Sequence, residues 1–149
     1  MMRKIGSTML LGFVMTGILG AVPTGTSDGV VRPLSGVKFE QDEDIKCLTF
    51  SLESGDPRTG PSTHILSASA KCTVPWHYHT AEEQLVVIRG SVVTEMDGMQ
   101  ASTLGAGGFA LMPSKKHHQF SCDSDSGCLM VVTFDRPYDI FWVKQPGNR

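Results

Sequence analysis

The chain has 149 residues, 40% hydrophobic and 19% charged, with a formal net charge of −2. That is enough apolar material for one core, and it excludes the low-hydrophobicity, high-charge composition of a disordered chain. No excess of Lys and Arg supplies the basic stripe that nucleic acid demands, so that partner class is set aside.

Met1-Met2-Arg3-Lys4 places two positive charges ahead of an uncharged segment, Ile5 to Ala21, that contains Leu10, Leu11, Phe13, Val14, Ile18 and Leu19. This is the layout of a signal peptide over residues 1–21, cleaved after Ala21 to leave a mature chain beginning at Val22. No cysteine follows the cleavage site, which argues against a bacterial lipoprotein anchor. The apolar segment is near the lower limit for spanning a bilayer and carries Gly12, Gly17 and Gly20, so no stable membrane insertion is expected after cleavage. The expected destination is the periplasm or the medium.

Residues 22–36 are rich in Gly, Pro, Thr and Ser and read as a flexible lead-in, leaving 37–145 as one domain and 146–149 as a tail. Val37 to Glu40 is a first short strand, and Gln41-Asp42-Glu43-Asp44 is a solvated acidic turn rather than a calcium loop, because four consecutive residues cannot converge on one ion. Ile45 to Leu52 and His64 to Cys72 form an antiparallel hairpin across the turn-rich Ser54–Pro61 segment. His64, at the end of that loop, reads as a surface histidine.

Strands follow at Ser91–Met96, Ala101–Leu104, Phe109–Met112, His118–Cys122, Leu129–Phe134 and Tyr138–Val143, separated by turns such as Asp97-Gly98 and Gly105–Gly108. No convincing helix follows the leader. Eight to ten short strands with turns between them are the signature of an all-β sandwich or barrel.

Cys122 and Cys128 flank the polar turn Asp123–Gly127 and approach each other across a hairpin; Cys47 and Cys72 then pair by elimination. An oxidising compartment lets such pairs persist. Four buried thiols packed as small apolar residues are the alternative. In that case Cys122, on the same face as His118, offers a thiolate close to the site described next.

The chemistry is concentrated in Pro75-Trp76-His77-Tyr78-His79-Thr80-Ala81-Glu82-Glu83, which runs into the apolar strand Leu85–Ile88 and Arg89-Gly90. Side chains alternate along a strand, so His77 and His79 face the same side and form a chelating pair. A short turn brings the Glu83 carboxylate back beside them. Downstream, Gly107–Met112, the Pro113 turn and His118 supply another histidine. Neighbouring residues face opposite ways, so His118, in phase with Phe120, is preferred over His117, and Glu83 over Glu82.

These residues resemble the cupin superfamily. Its first motif, H-x-H, three residues, Glu, six residues, Gly, is met by His77, His79, Glu83 and Gly90. Its second, Gly, five residues, Pro, x, Gly, two residues, His, three residues, Asn, is met by Gly107, Pro113 and His118. The departures are Lys71 for a leading Gly, Lys115 for the turn Gly and Cys122 for the Asn. Outside the motifs, Gly55-Asp56-Pro57, Gly60-Pro61 and Pro137–Val143 resemble small single-domain bacterial cupins, many of them with leaders.

The resemblance implies an antiparallel jelly-roll barrel and one divalent transition metal ion (Fe, Mn, Ni, Cu, Co or Zn) on His77, His79, Glu83 and His118. Three imidazoles and a carboxylate suit such borderline ions and not Ca. Four protein ligands on an octahedral ion leave two positions open, the property that separates a catalytic site from a closed structural one. The implied function is a metal enzyme acting on a small organic molecule with Glu83 essential, first as a dioxygenase-like oxidoreductase and next as a decarboxylase or isomerase. A non-catalytic ligand-binding or sensor module is the alternative, since fold alone does not choose. Pairing through sheet edges, frequent in the family, implies a homodimer. Trp76, Phe109, Met112, Phe120 and Met130 are candidate pocket walls. Lys115 and Lys116 read as a solvated turn at the rim, with steering of an anionic substrate as the other possibility.

Overall fold

The computed structural model describes residues 29–146; the expected leader, the first part of the lead-in (22–28) and the last three residues lie outside that range. Residues 29–31, which do not belong to the unit that begins at Arg32, are exposed and without regular structure. From Arg32 onward the order is a 3₁₀ turn at Leu34–Gly36, then β1 (Glu40–Gln41), β2 (Leu48–Gly55), β3 (Ser62–Ala68), β4 (Thr73–Tyr78), β5 (Glu83–Arg89), β6 (Val92–Met96), β7 (Ser102–Leu104), β8 (Phe109–Met112), β9 (His118–Cys122), β10 (Cys128–Phe134) and β11 (Phe141–Trp142). The expected strand at Val37–Glu40 is displaced to β1. The expected last strand shrinks to Phe141–Trp142, because Asp139 is diverted to the site described below. Among the described residues there is no α-helix.

All pairings are antiparallel, in a six-stranded sheet of order β1-β2-β3-β10-β5-β8 and a five-stranded sheet of order β11-β4-β9-β6-β7. The two sheets form the jelly-roll barrel that the family resemblance implies. Alternation puts Glu83, Leu85 and Val87 of β5, His118, Phe120 and Cys122 of β9, and Met130, Val132 and Phe134 of β10 inside. The apolar members of these rows, with Leu48, Val92 and Met112, make the core. Burying one Leu or Met side chain contributes about 2 kcal/mol, so the rows hold the sheets face to face.

One bulge matters for function. The β4–β9 register slips between Val74 and His77, so that Val74 and His77, of opposite parity, are both buried. A bulge re-aims one side chain without ending the strand.

Cys47–Cys72 and Cys122–Cys128 lie at disulfide distance, with Cα separations of 5.4 and 5.7 Å, and no cysteine remains free. The second pair closes the β9–β10 turn as expected and removes Cys122 from any role as a thiolate. Two disulfides are the mark of an oxidising environment.

A candidate metal centre at the end of an apolar cavity

His77 lies near the end of β4 and His118 at the start of β9, as direct cross-strand partners whose ring centroids are 4.2 Å apart. His79 follows β4 by one residue, and Glu83 opens β5 after a three-residue connection. That connection is fastened from several sides. Lys115 N–H donates to His79 O at 2.8 Å, Ser114 Oγ donates to Thr80 O at 2.6 Å, and Glu82 N–H donates to Asp135 Oδ1 at 2.8 Å. The turn therefore returns the Glu83 carboxylate to the imidazoles, as the sequence predicts.

One donor atom from each of His77, His79, Glu83 and His118 lies within 4.8 Å of all the others, and all four residues are buried. Each imidazole is oriented through Nδ1, which donates to a backbone carbonyl: His77 to Pro75 at 2.6 Å, His118 to Lys116 at 2.8 Å, and His79 to Asp139. Donation through Nδ1 leaves a neutral ring with a bare lone pair on Nε2. Yet Nε2 of both His79 and His118 stands 3.1 Å from Glu83 Oε2. Lone pair facing lone pair is repulsive in a buried site unless a cation, either a proton or a metal ion, lies among them. The donor set and its carbonyl-anchored orientation thus fit a divalent transition ion.

Electrostatics follow the same geometry. Burial, and then the neighbouring His118, push His77 down to about 4, so it stays neutral. Burial works against charge on His79, but contact with Glu83 outweighs it and raises that pKa. Burial alone would raise the Glu83 carboxyl; contacts with His118 and His79 win and hold it well below the ordinary range. The competitors are elsewhere. His117 stacks on Tyr78, rings 5.4 Å apart, and Glu82 takes no part in the cluster.

The cluster closes one side of a cavity of about 230 Å³. Its apolar walls include Leu48, Phe50, Leu66, Phe120, Val132 and Phe134. Of the five wall candidates from sequence, Phe120 alone lines this cavity. Met112 and Met130 are packed in the core, Trp76 is buried outside the cavity, and Phe109 is exposed on the outer surface. His64 is a second correction. It is 8% exposed, not a surface residue, because β3 starts at Ser62 and alternation turns Ser62, His64 and Ala68 inward. It shares a hydrogen bond with Ser62 Oγ at 3.0 Å, and burial lowers its pKa.

Lys115 and Lys116 do not reach the cavity; Asp42 and Asp44 of the acidic turn do. Tyr138, Ile140 and Trp142 also line it, and sequence reasoning missed all three. Their signal was present, since they share one parity in the segment read as the last strand. Asp139, between them, accepts from Thr80 N–H at 2.7 Å and Thr80 Oγ1 at 2.5 Å, while its own carbonyl orients His79.

An antiparallel two-sheet barrel with three histidines and a glutamate gathered at a cavity defines a β-barrel with a candidate metal site. Residues 67–134 match the Cupin domain family model, so this part of the chain is a cupin domain. No curated protein matches its sequence. Among solved structures it is similar to the polyketide cyclase RemF from Streptomyces resistomycificus, with TM-score 0.67, 20% identity, and 80% of this chain and 88% of that chain covered. It is similar also to an RmlC-like cupin from Shewanella frigidimarina (TM-score 0.61, 16% identity, 74% and 92% covered). A third is the DMSP lyase DddQ from Ruegeria pomeroyi (TM-score 0.62, 16% identity, 76% and 64% covered). At these identities the likeness concerns the fold alone.

Proposed function

We propose that this chain is an exported, single-domain cupin spanning residues 37–145 that holds one divalent transition metal ion and acts as an enzyme on a small organic molecule. The observation that carries the reading is the buried cluster of three histidines and a glutamate facing a largely apolar cavity. His77, His79 and His118 are the nitrogen ligands and Glu83 the oxygen ligand. Bound there, a redox-active ion would supply dioxygen chemistry, which makes an oxidoreductase the first reading, and a Lewis-acid ion would supply decarboxylation or isomerisation.

The chain's own residues set the conditions for that chemistry. Pro75, Lys116 and Asp139 carbonyls hold the imidazoles in one tautomer, so Nε2 is presented without rearrangement. Partial burial, then the Asp42, Glu83 and Asp44 carboxylates, push the Tyr138 hydroxyl up, so it remains a hydrogen-bond donor at neutral pH. Similarity to a polyketide cyclase and a DMSP lyase supports a small-molecule substrate.

The expected homodimer is supported by Val86 and Ile88 of β5 and Phe109 and Leu111 of β8, which expose large apolar side chains at one end of the six-stranded sheet. The functional test is an oxygen-consumption screen of metal-loaded protein beside Glu83→Ala. Turnover lost in the variant supports the enzyme; turnover retained removes Glu83 from the mechanism. Ligand capture without turnover in the wild type favours the binding-module alternative.

A further inference from the structure

We infer that the cavity selects an uncharged, largely apolar molecule about the size of one substituted ring, and discriminates against free carboxylates. This deepens the functional reading above and rests on it for the ion's presence.

Size comes first. A cavity of about 150 Å³ lined by aliphatic and aromatic side chains holds benzene. The one here is about 230 Å³, which leaves room for a ring with one or two small substituents. Charge comes second. The lining contains no Lys or Arg, and its acidic side chains are Asp42, Asp44 and Glu83. An anionic substrate therefore has no counter-charge on the protein, and the basic pair Lys115 and Lys116 is not part of the lining.

The two charged regions oppose each other. A divalent ion held by one carboxylate and three neutral imidazoles leaves a formal +1 at the histidine cluster, whereas Asp42 and Asp44 put two negative charges on another part of the lining. A carboxylate is drawn to the first and repelled by the second; an ammonium has the reverse difficulty. A neutral molecule is opposed by neither.

This ranking bears on the reaction. It favours oxidation of a neutral ring compound, such as a phenol, over decarboxylation of a free acid.

The test uses three probes of matched size, benzyl alcohol, benzoate and benzylammonium, titrated into the metal-loaded full chain at low ionic strength. Trp142 fluorescence and calorimetry report binding. Benzyl alcohol is expected to bind with Kd about tenfold below that of either charged probe. Asp44→Asn, which changes a carboxylate with no side-chain hydrogen bond to the described residues, should tighten benzoate about threefold while leaving benzyl alcohol unchanged. Asp42→Asn keeps the Oδ1 acceptor for Asp44 and Ile45 N–H, and adds to the effect in the double variant. Benzoate binding as tightly as benzyl alcohol, or no binding of benzyl alcohol in the millimolar range, overturns the inference. Metal content is measured on the same samples. A chain without metal sinks the functional reading, whereas a metal-loaded chain that prefers benzoate sinks only this one.

Discussion

Glu83 Oε2 and His118 Nε2 stand 3.1 Å apart although the His118 Nδ1 proton is already committed to the Lys116 carbonyl. The same holds for His79, so one carboxylate oxygen faces two nitrogens that have no proton to give while neutral. The cluster is therefore built around a cation, and its stability depends on what supplies the charge.

Removing the metal should expose a pH dependence with a defined sign. His77 falls to about 4 on folding and His64 is also lowered, so between the unfolded value near 6.5 and the folded value the unfolded state binds more protons. Stability is full above that window and is lost as pH falls through it. His79, raised on folding, contributes stability that is already complete below its unfolded pKa, and Glu83, lowered on folding, loses its share only further down. Chelator-treated protein should lose on the order of 3 kcal/mol between pH 6.5 and 4 from His77 alone. Urea unfolding across that range would show it; a flat profile would contradict the assigned protonation.

Asp139 should tune the site without touching the ion. Its carboxylate clamps Thr80, and its carbonyl orients His79. Asp139→Ala frees the segment that carries that carbonyl, so metal affinity should fall about 10- to 100-fold with the barrel still folded. Competition with a chromophoric chelator reads the affinity, and circular dichroism reads the fold.

Two departures from the family motifs have a backbone meaning. Lys71 and Lys115, at positions where the motifs have Gly, are the non-glycine residues with positive φ, at 60° and 62°. Left-handed backbone costs a side-chain-bearing residue about 1 kcal/mol. Lys115→Gly should therefore stabilise the protein by a few tenths to about 1 kcal/mol, less the entropy Gly adds to the unfolded chain. Lys71→Gly should gain less, because it also loses exposed contacts with Asp123 and Asp125. Gly90 shows the opposite case. With φ at 92°, a Cβ there would lie 2.7 Å from Gly127 O, so Gly90→Ala should be sharply destabilising.

The two disulfides should differ in worth. Closing the Cys47–Cys72 loop, with a separation of 25, constrains the unfolded chain more than closing Cys122–Cys128, with a separation of 6. The chain-entropy estimate is about 3.5 against about 2 kcal/mol. Double Ser variants of each pair, compared by denaturant midpoint, should show that order.

The barrel and the four clustered residues were legible because they depend on short-range spacing: a single residue between two histidines on one strand face, and a turn of fixed length before Glu83. The cavity was less so. Its walls come from parity combined with where each strand starts, and β3 beginning at Ser62 instead of His64 decided that His64 points inward. The bulge between Val74 and His77 exchanged parity in mid-strand, which separates Trp76 from the cavity. Asp42 and Asp44 read correctly as a turn, but their place in the cavity lining depends on a chain crossing that no local pattern encodes.

The most direct test of the central claim is elemental analysis of the mature chain from Val22, purified without chelator or His tag, beside His77→Ala. The cluster predicts about one transition metal ion per wild-type chain and its loss in the variant. No ion in the wild type, even after reconstitution near neutral pH, would contradict it.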